Sequence, residues 1–364
     1  TGSKANRFME ENPGVIVIFE SVALSKWWTK LPEAWKEVFR DISELDPDPG
    51  KEQLHTLAQI TDINISGNSR IRELTPLKTM VYLRSLDCSN TSIDNLWPLS
   101  DLFDLHSLNI SGTDITNCDP LRDLTGLEYL DLSNTGISDI QCLSRIKKMH
   151  ELDISNTGVD AINVFGKCSM ELIRADMSGV VLEEVIRFKE VNPETTILYQ
   201  TDDLQLWWNA LAGSWKEVFL SAKSIEKDPD AIELQQIVDL TEIDLLQNSR
   251  LDNLIPLQKL YRLRSLKMDN TQMADLHPLE GMYSIQSLIL SNNPVEDLSP
   301  LSGLSQLRQL DFKNTPVDDL EPLASLFQLE ILDLAGTQVK KLDDISGLSN
   351  LRQLIFYNTR VKSL

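Results

Sequence analysis

Two carboxylates recur at one place in a repeating line. Asp131 in "LEYLDLSNT" and Asp153 in "MHELDISNT" lie 22 residues apart, in segments whose alternation of leucine with polar residues predicts strand. On adjacent parallel strands the two would stand about 5 Å apart. That spacing suits general acid–base work or a shared calcium ion. Both uses need a cleft, further ligands or a raised pKa, and a solvated sheet supplies none of them. Attraction of a basic partner is therefore the favoured chemistry, and no catalytic residue, metal ligand or cofactor is assigned. His106 and His150 share a column but are two periods apart, too far to chelate one ion, and no third ligand accompanies them. No nucleophile elbow or phosphate-binding glycine loop appears. The cysteines, Cys88, Cys118, Cys142 and Cys168, form no C-x-x-C pair. Their mates 180 residues on are Met268, Leu298, Pro322 and Leu348, so free thiols acting as small core hydrophobes are expected.

Composition narrows the partners. The 364 residues carry a formal charge of −21, which disfavours nucleic acid and anionic membrane surfaces, both of which require Lys and Arg. No run of about 18 apolar residues is present, so no membrane insertion is expected. The opening "TGSKANRFMEENPG" lacks the apolar core of a signal peptide.

The elements that must position these residues are written twice. "WWTKLPEAWKEVF" (27–39) returns as "WWNALAGSWKEVF" (207–219), and "LRSLDCSNT" (83–91) as "LRSLKMDNT" (263–271), at an offset of 180. Residues 1–185 and 186–364 are thus two copies of one module. Within each, nine-residue frames start at 60, 83, 105, 127 and 149, and at 240, 263, 285, 307, 329 and 351. The consensus is L-x-x-L-x-L-S-N-T-x-I-x-D-L-x-P-L-x-x-L-x-x. Alternation turns Leu130 and Leu132 inward and leaves Tyr129, Asp131 and Ser133 on the open face. Proline in the return segment forbids a ladder but suits a short 3₁₀ turn. One coil cannot bury its own leucines, so neighbours stack and share a core.

This consensus resembles the leucine-rich-repeat family, specifically the bacterial 22-residue class of internalin-like proteins, over roughly residues 60–180 and 240–364. The resemblance implies an α/β solenoid: a right-handed superhelix with a parallel concave sheet and a helical or 3₁₀ convex side. It also implies non-enzymatic binding of a protein or peptide, or a glycan, through the concave face. Alternatives are the recruiting domain of a larger enzyme and a calcium-dependent assembly scaffold. A cell-envelope or secreted setting is favoured over cytoplasm. The family's asparagine at the ninth frame position is mostly threonine here. A hydroxyl has one donor where an amide has two, so that ladder is expected to bond less completely.

Candidate partner-binding residues follow from the outward positions. They are Asp87, Asn109, Tyr129, Asp131 and Asp153 in the first module, and Lys267, Ile289, Asp311, Ile331, Asp333, Ile355 and Tyr357 in the second. The apolar group Ile331, Ile355 and Tyr357 reads equally as an interaction patch or as contacts for a further C-terminal segment. The tryptophans fall on one apolar helical face, interrupted near Pro32, and are expected to be scaffold on the convex side of one enlarged coil. A single sheet is then expected to run through both modules. The strand-like "VIVIF" (15–19) and the preceding residues resemble the end of a module, so a further module or export signal upstream is an expectation.

Overall fold

The computed structural model describes residues 21–246 and 250–362. The chain divides into two compact units, residues 1–200 and 201–364. In the first, strands β1 (Asp62–Asn64), β2 (Ser85–Asp87), β3 (Ser107–Asn109), β4 (Tyr129–Asp131), β5 (Glu151–Asp153), β6 (Leu172–Arg174) and β7 (Thr196–Leu198) form one parallel sheet in chain order. In the second, β8 (Glu242–Asp244), β9 (Ser265–Lys267), β10 (Ser287–Ile289), β11 (Gln309–Asp311), β12 (Ile331–Asp333) and β13 (Gln353–Ile355) do the same.

The expected single sheet is not what forms: β7 and β8 belong to different ladders. The two periods of chain between them are taken up by helices, which offer no strand to either edge. The "TILY" segment is a strand, and it pairs with β6 of the first unit. "VIVIF" lies outside the described residues.

Each coil closes the same way. Counting Leu127 as slot 1, the residues at slots 1, 4 and 6 (Leu127, Leu130, Leu132) are buried, as are their mates in neighbouring coils. Register aligns Leu86, Leu108, Leu130 and Leu152 across four strands. Each such leucine contributes roughly 1.5–3 kcal/mol through burial. The return segments are 3₁₀ turns such as Asp119–Leu121 and Ser299–Leu301, with buried proline and leucine. Slot 8 adopts left-handed backbone at Asn90, Asn134, Asn156, Asn292, Asn314 and Asn358. This explains why asparagine or glycine fills it: both tolerate that conformation better than other residues. At Gly112 a β-carbon would also come within 2.6 Å of the Asn90 amide oxygen.

The ninth slot behaves as the hydroxyl argument requires. Thr91, Thr113, Thr135, Thr157, Thr315 and Thr337 each donate to the carbonyl three residues back in their own coil. Asn293 bridges coils: its amide donates to the Met268 and Leu290 carbonyls, and its oxygen accepts from the Thr271 N–H and hydroxyl.

Helices α1 (Ser21–Lys30), α2 (Glu33–Ser43) and α3 (Lys51–Leu57) precede the first sheet. Pro32 occupies the N-cap of α2, where its missing N–H breaks no bond. α4 (Leu182–Val191) links β6 to β7, and α5 (Thr201–Ala210), α6 (Gly213–Lys223) and α7 (Ala231–Val238) precede the second sheet. The tryptophans are scaffold: Trp28, Trp35, Trp208 and Trp215 are buried. Trp27 and Trp35 donate to the Pro76 and Glu73 carbonyls, and Trp215 to that of Asn253. They therefore lie against the return side of the first coil of their own unit.

The cysteine expectation needs correcting as well. Cys118 and Cys142 form a disulfide, with Cα atoms 6.0 Å apart, while Cys88 and Cys168 are free. Cys118 is slot 14 of one coil and Cys142 slot 16 of the next, positions that stacking brings side by side. Their unlike mates, Leu298 and Pro322, are both buried in the second unit. The site needs only mutual contact, so the absence of cysteine from the second copy carries no information about bonding in the first.

Candidate functional site

The outward slots of the first sheet form continuous columns because each strand is in register with the next. Slot 5 runs Asn64, Asp87, Asn109, Asp131, Asp153 and Arg174. Most of this column has a structural duty. The side-chain oxygens of Asn64, Asp87, Asn109, Asp131 and Asp153 accept the backbone N–H two residues on, at 2.8–3.0 Å. In the second unit Asp244, Asp311 and Asp333 do the same. These are Asx turns, closing the chain where it leaves the short strand. Arg174, Lys267, Ile289 and Ile355 occupy the same slot and have no acceptor to offer.

The slot 7 serines are less open than alternation implies: Ser89, Ser133 and Ser291 are buried. The Ser291 hydroxyl donates to the Asp311 carboxylate at 2.6 Å. Slot 3 is different. Tyr129 is 46% exposed and Glu151 is exposed beside it, with the two in register.

Asn109, Tyr129, Asp131 and Asp153 come together, as the sequence suggests. With Glu151 and Arg174 they line a hollow of about 230 Å³ on the open face. Asp131 and Asp153 are direct register partners. Burial pushes the Asp153 carboxyl above its ordinary range; the Ser155 hydrogen bonds and Arg174 oppose this, and the Asp131 charge adds to it. The Tyr129 ring stacks on His150, with centroids 6.1 Å apart, and His150 Nδ1 lies 3.3 Å from the Glu171 carboxylate. His106 belongs to another coil and does not join this group. Among the described residues, no three His, Cys, Asp or Glu side chains are grouped to hold a metal ion.

Asp87 lies in a neighbouring hollow with Asp62, Asn64 and Ile42. Lys267 lines a hollow of about 490 Å³ between α6 and the first strands of the second sheet, with Glu217, Ser221, Glu242 and Asp244. Ile289, Asp311, Asp333 and Ile355 follow one another along slot 5, and Ile331 pairs with Gln309. Asp311 accepts an ion pair from Lys313 at 3.3 Å. Tyr357, in the last coil, is 64% exposed. Glu151 and Arg174 are the residues sequence reasoning missed. Glu151 could have been found by reading slot 3 along its whole length; Arg174 follows its register partner Asp153 after 21 residues instead of 22, and so falls outside the repeating frame.

A sequence profile described as leucine-rich repeats, two copies, matches residues 104–145 and again 284–325. The two matches are themselves offset by 180. No curated protein sequence matches significantly. Among solved structures, the chain is similar to an internalin (inlF) from Listeria monocytogenes, at 22% identity and a TM-score of 0.37, covering 90% of this chain and 82% of that one. It is similar to internalin C2 (inlC2) of the same organism at 16% identity and a TM-score of 0.32, covering 89% and 92%. A third likeness is to the Leptospira interrogans LRR protein LIC12759, at 16% identity and a TM-score of 0.34, covering 79% and 70%.

Proposed function

The chain is built of leucine-rich repeats, and from that premise we propose that it is a non-enzymatic recognition module binding a protein or peptide through its open sheet faces. One observation carries this reading. Stacking in register delivers rows of outward side chains, among them Tyr129, Glu151, Lys267 and Ile331, that are not needed to fill the core. Exposed aromatic and aliphatic groups set among polar ones are the usual composition of an interface. The Cys118–Cys142 bridge supports an oxidising setting such as the cell envelope or the extracellular medium.

The test is affinity capture from cell extracts with the full chain, beside an Ile331→Asp/Ile355→Asp/Tyr357→Ser variant shown to melt like the parent. Captured protein is then cross-linked and the links mapped. Links on strand residues of either open face support the reading, and loss with the variant narrows it to the second unit. Links confined to the 3₁₀ return segments would overturn it.

A further inference from the structure

The two open faces share a frame but differ in chemistry, and the difference points to one ligand group. At slot 3, Tyr129 and Glu151 stand where the second unit has Gln309 and Ile331. At slot 7, Ser133 stands where the second unit has Lys313. Lys313 binds Asp311, so the second unit supplies its own cation to that carboxylate. The first unit puts a serine there instead, and Asp131 keeps its charge turned to the hollow. Three carboxylates, Asp131, Glu151 and Asp153, line this hollow against one guanidinium, Arg174. The Asx turns engage one oxygen of Asp131 and of Asp153, and the Ser155 side chain also bonds the Asp153 carboxylate. At about 230 Å³ the space falls below the roughly 300–1,000 Å³ of a small-molecule pocket and is on the scale of one long side chain. Tyr129, held by its stack on His150, gives that side chain a flat wall.

We propose that this hollow, within the open-face reading above, receives a single lysine or arginine side chain of a protein partner, its head between Asp131 and Asp153 and its aliphatic stem along Tyr129. A cation there gives Asp131 the partner that Lys313 gives Asp311 in the second unit. Long basic side chains bury their stems while keeping the head solvated or paired, and aromatic faces attract them.

The experiment transplants the protein's own alternative. Tyr129→Gln/Glu151→Ile places in slot 3 the residues the second unit carries there, so the fold has a precedent for both. Neither residue makes a cap. The probe is an unstructured glycine–serine peptide bearing spaced lysines, titrated into the full chain at low salt, with the same peptide carrying glutamates as control. A second variant, Asp101→Asn, makes the same charge change at an exposed position on the return side. The expected result is binding of the lysine peptide only, weakened roughly tenfold (about 1.4 kcal/mol) by the transplant and by less than about twofold by Asp101→Asn, with affinity falling as salt rises. Equal weakening by both variants, or by neither, would reduce the effect to the overall negative field and overturn the assignment. Failure of the parent to bind the lysine peptide would overturn it too. In either case, cross-links on the open faces would leave the broader recognition reading standing.

Discussion

At the scale of single residues, Asp153 serves the fold and the proposed site with opposite consequences for charge. Its oxygen caps the Ser155 N–H, a duty that needs only an acceptor, while its negative charge is half-buried and its carboxyl titrates above the ordinary range. An acid whose folded pKa is raised favours folding most below its unfolded pKa of about 3.9, and loses that contribution as pH rises through the folded value. Asp153→Asn keeps the cap and removes the charge. Chemical unfolding should therefore show the variant as stable as the parent or more so at neutral pH, by less than about 1 kcal/mol given its partial exposure, with the gap closing on acidification. Binding of the lysine peptide should move the other way, weakening in the variant and, in the parent, on acidification. Asp131, Glu151, Arg174 and the Tyr129–His150 pair also face the ligand, and protonating any of the carboxylates acts in the same direction. A variant both less stable and unaltered in binding would contradict the division of labour. Asn293 tests the ninth slot in the same spirit. Asn293→Thr retains a bond within its own coil but leaves the Thr271 N–H and the Met268 carbonyl without their bridge. Loss of buried bonding of this kind costs about 1–3 kcal/mol, readable as a lower urea midpoint with unchanged slope.

Between neighbouring coils, the disulfide is the element-scale feature that stacking makes and sequence hides. Cys118 and Cys142 are 24 residues apart in sequence, and closing a loop of that length removes roughly 3 kcal/mol of unfolded-state entropy in the chain-entropy model. Alkylation under denaturing, non-reducing conditions should find two thiols, and four after reduction; four without reductant would show that the bridge does not form. Without denaturant, Cys88 should resist alkylation. Burial, with the Asp87 charge adding, pushes its thiol up to about 12, so almost no thiolate exists near neutral pH. Cys168, less buried, should react first. Reduction should lower the stability of the first unit, and Cys118→Leu, which installs the residue found at Leu298, should abolish the response to reductant while recovering part of the lost packing.

For the molecule as a whole, what was legible followed from how the core is encoded. A stacked-coil core is written one coil at a time, so the 22-residue period, the inward Leu130 and Leu132, and the duplication at 180 could all be read directly. The sheet break could not: the interval from β7 to β8 spans two periods whether it holds strands or helices. Nor could the role of slot 5, since an aspartate that caps a turn and one that meets a ligand have the same name. Tyr129 and Asp131 were legible as neighbours, but Glu151 emerges only once slot 3 is followed across β4 and β5. The duplication itself carries the last prediction. Each unit has its own sheet and its own aromatic cluster: Trp35 packs on Phe39 at 5.2 Å, and Trp215 on Phe219 at 5.3 Å. Removing a buried tryptophan costs about 3–5 kcal/mol, enough to unfold locally a unit of ordinary stability. Hydrogen exchange of Trp35→Ala should lose protection along β1, β2 and β3 while β9 to β12 stay protected, and Trp215→Ala should give the converse. Loss of protection in both sheets from either substitution would mean that the two units unfold as one cooperative body.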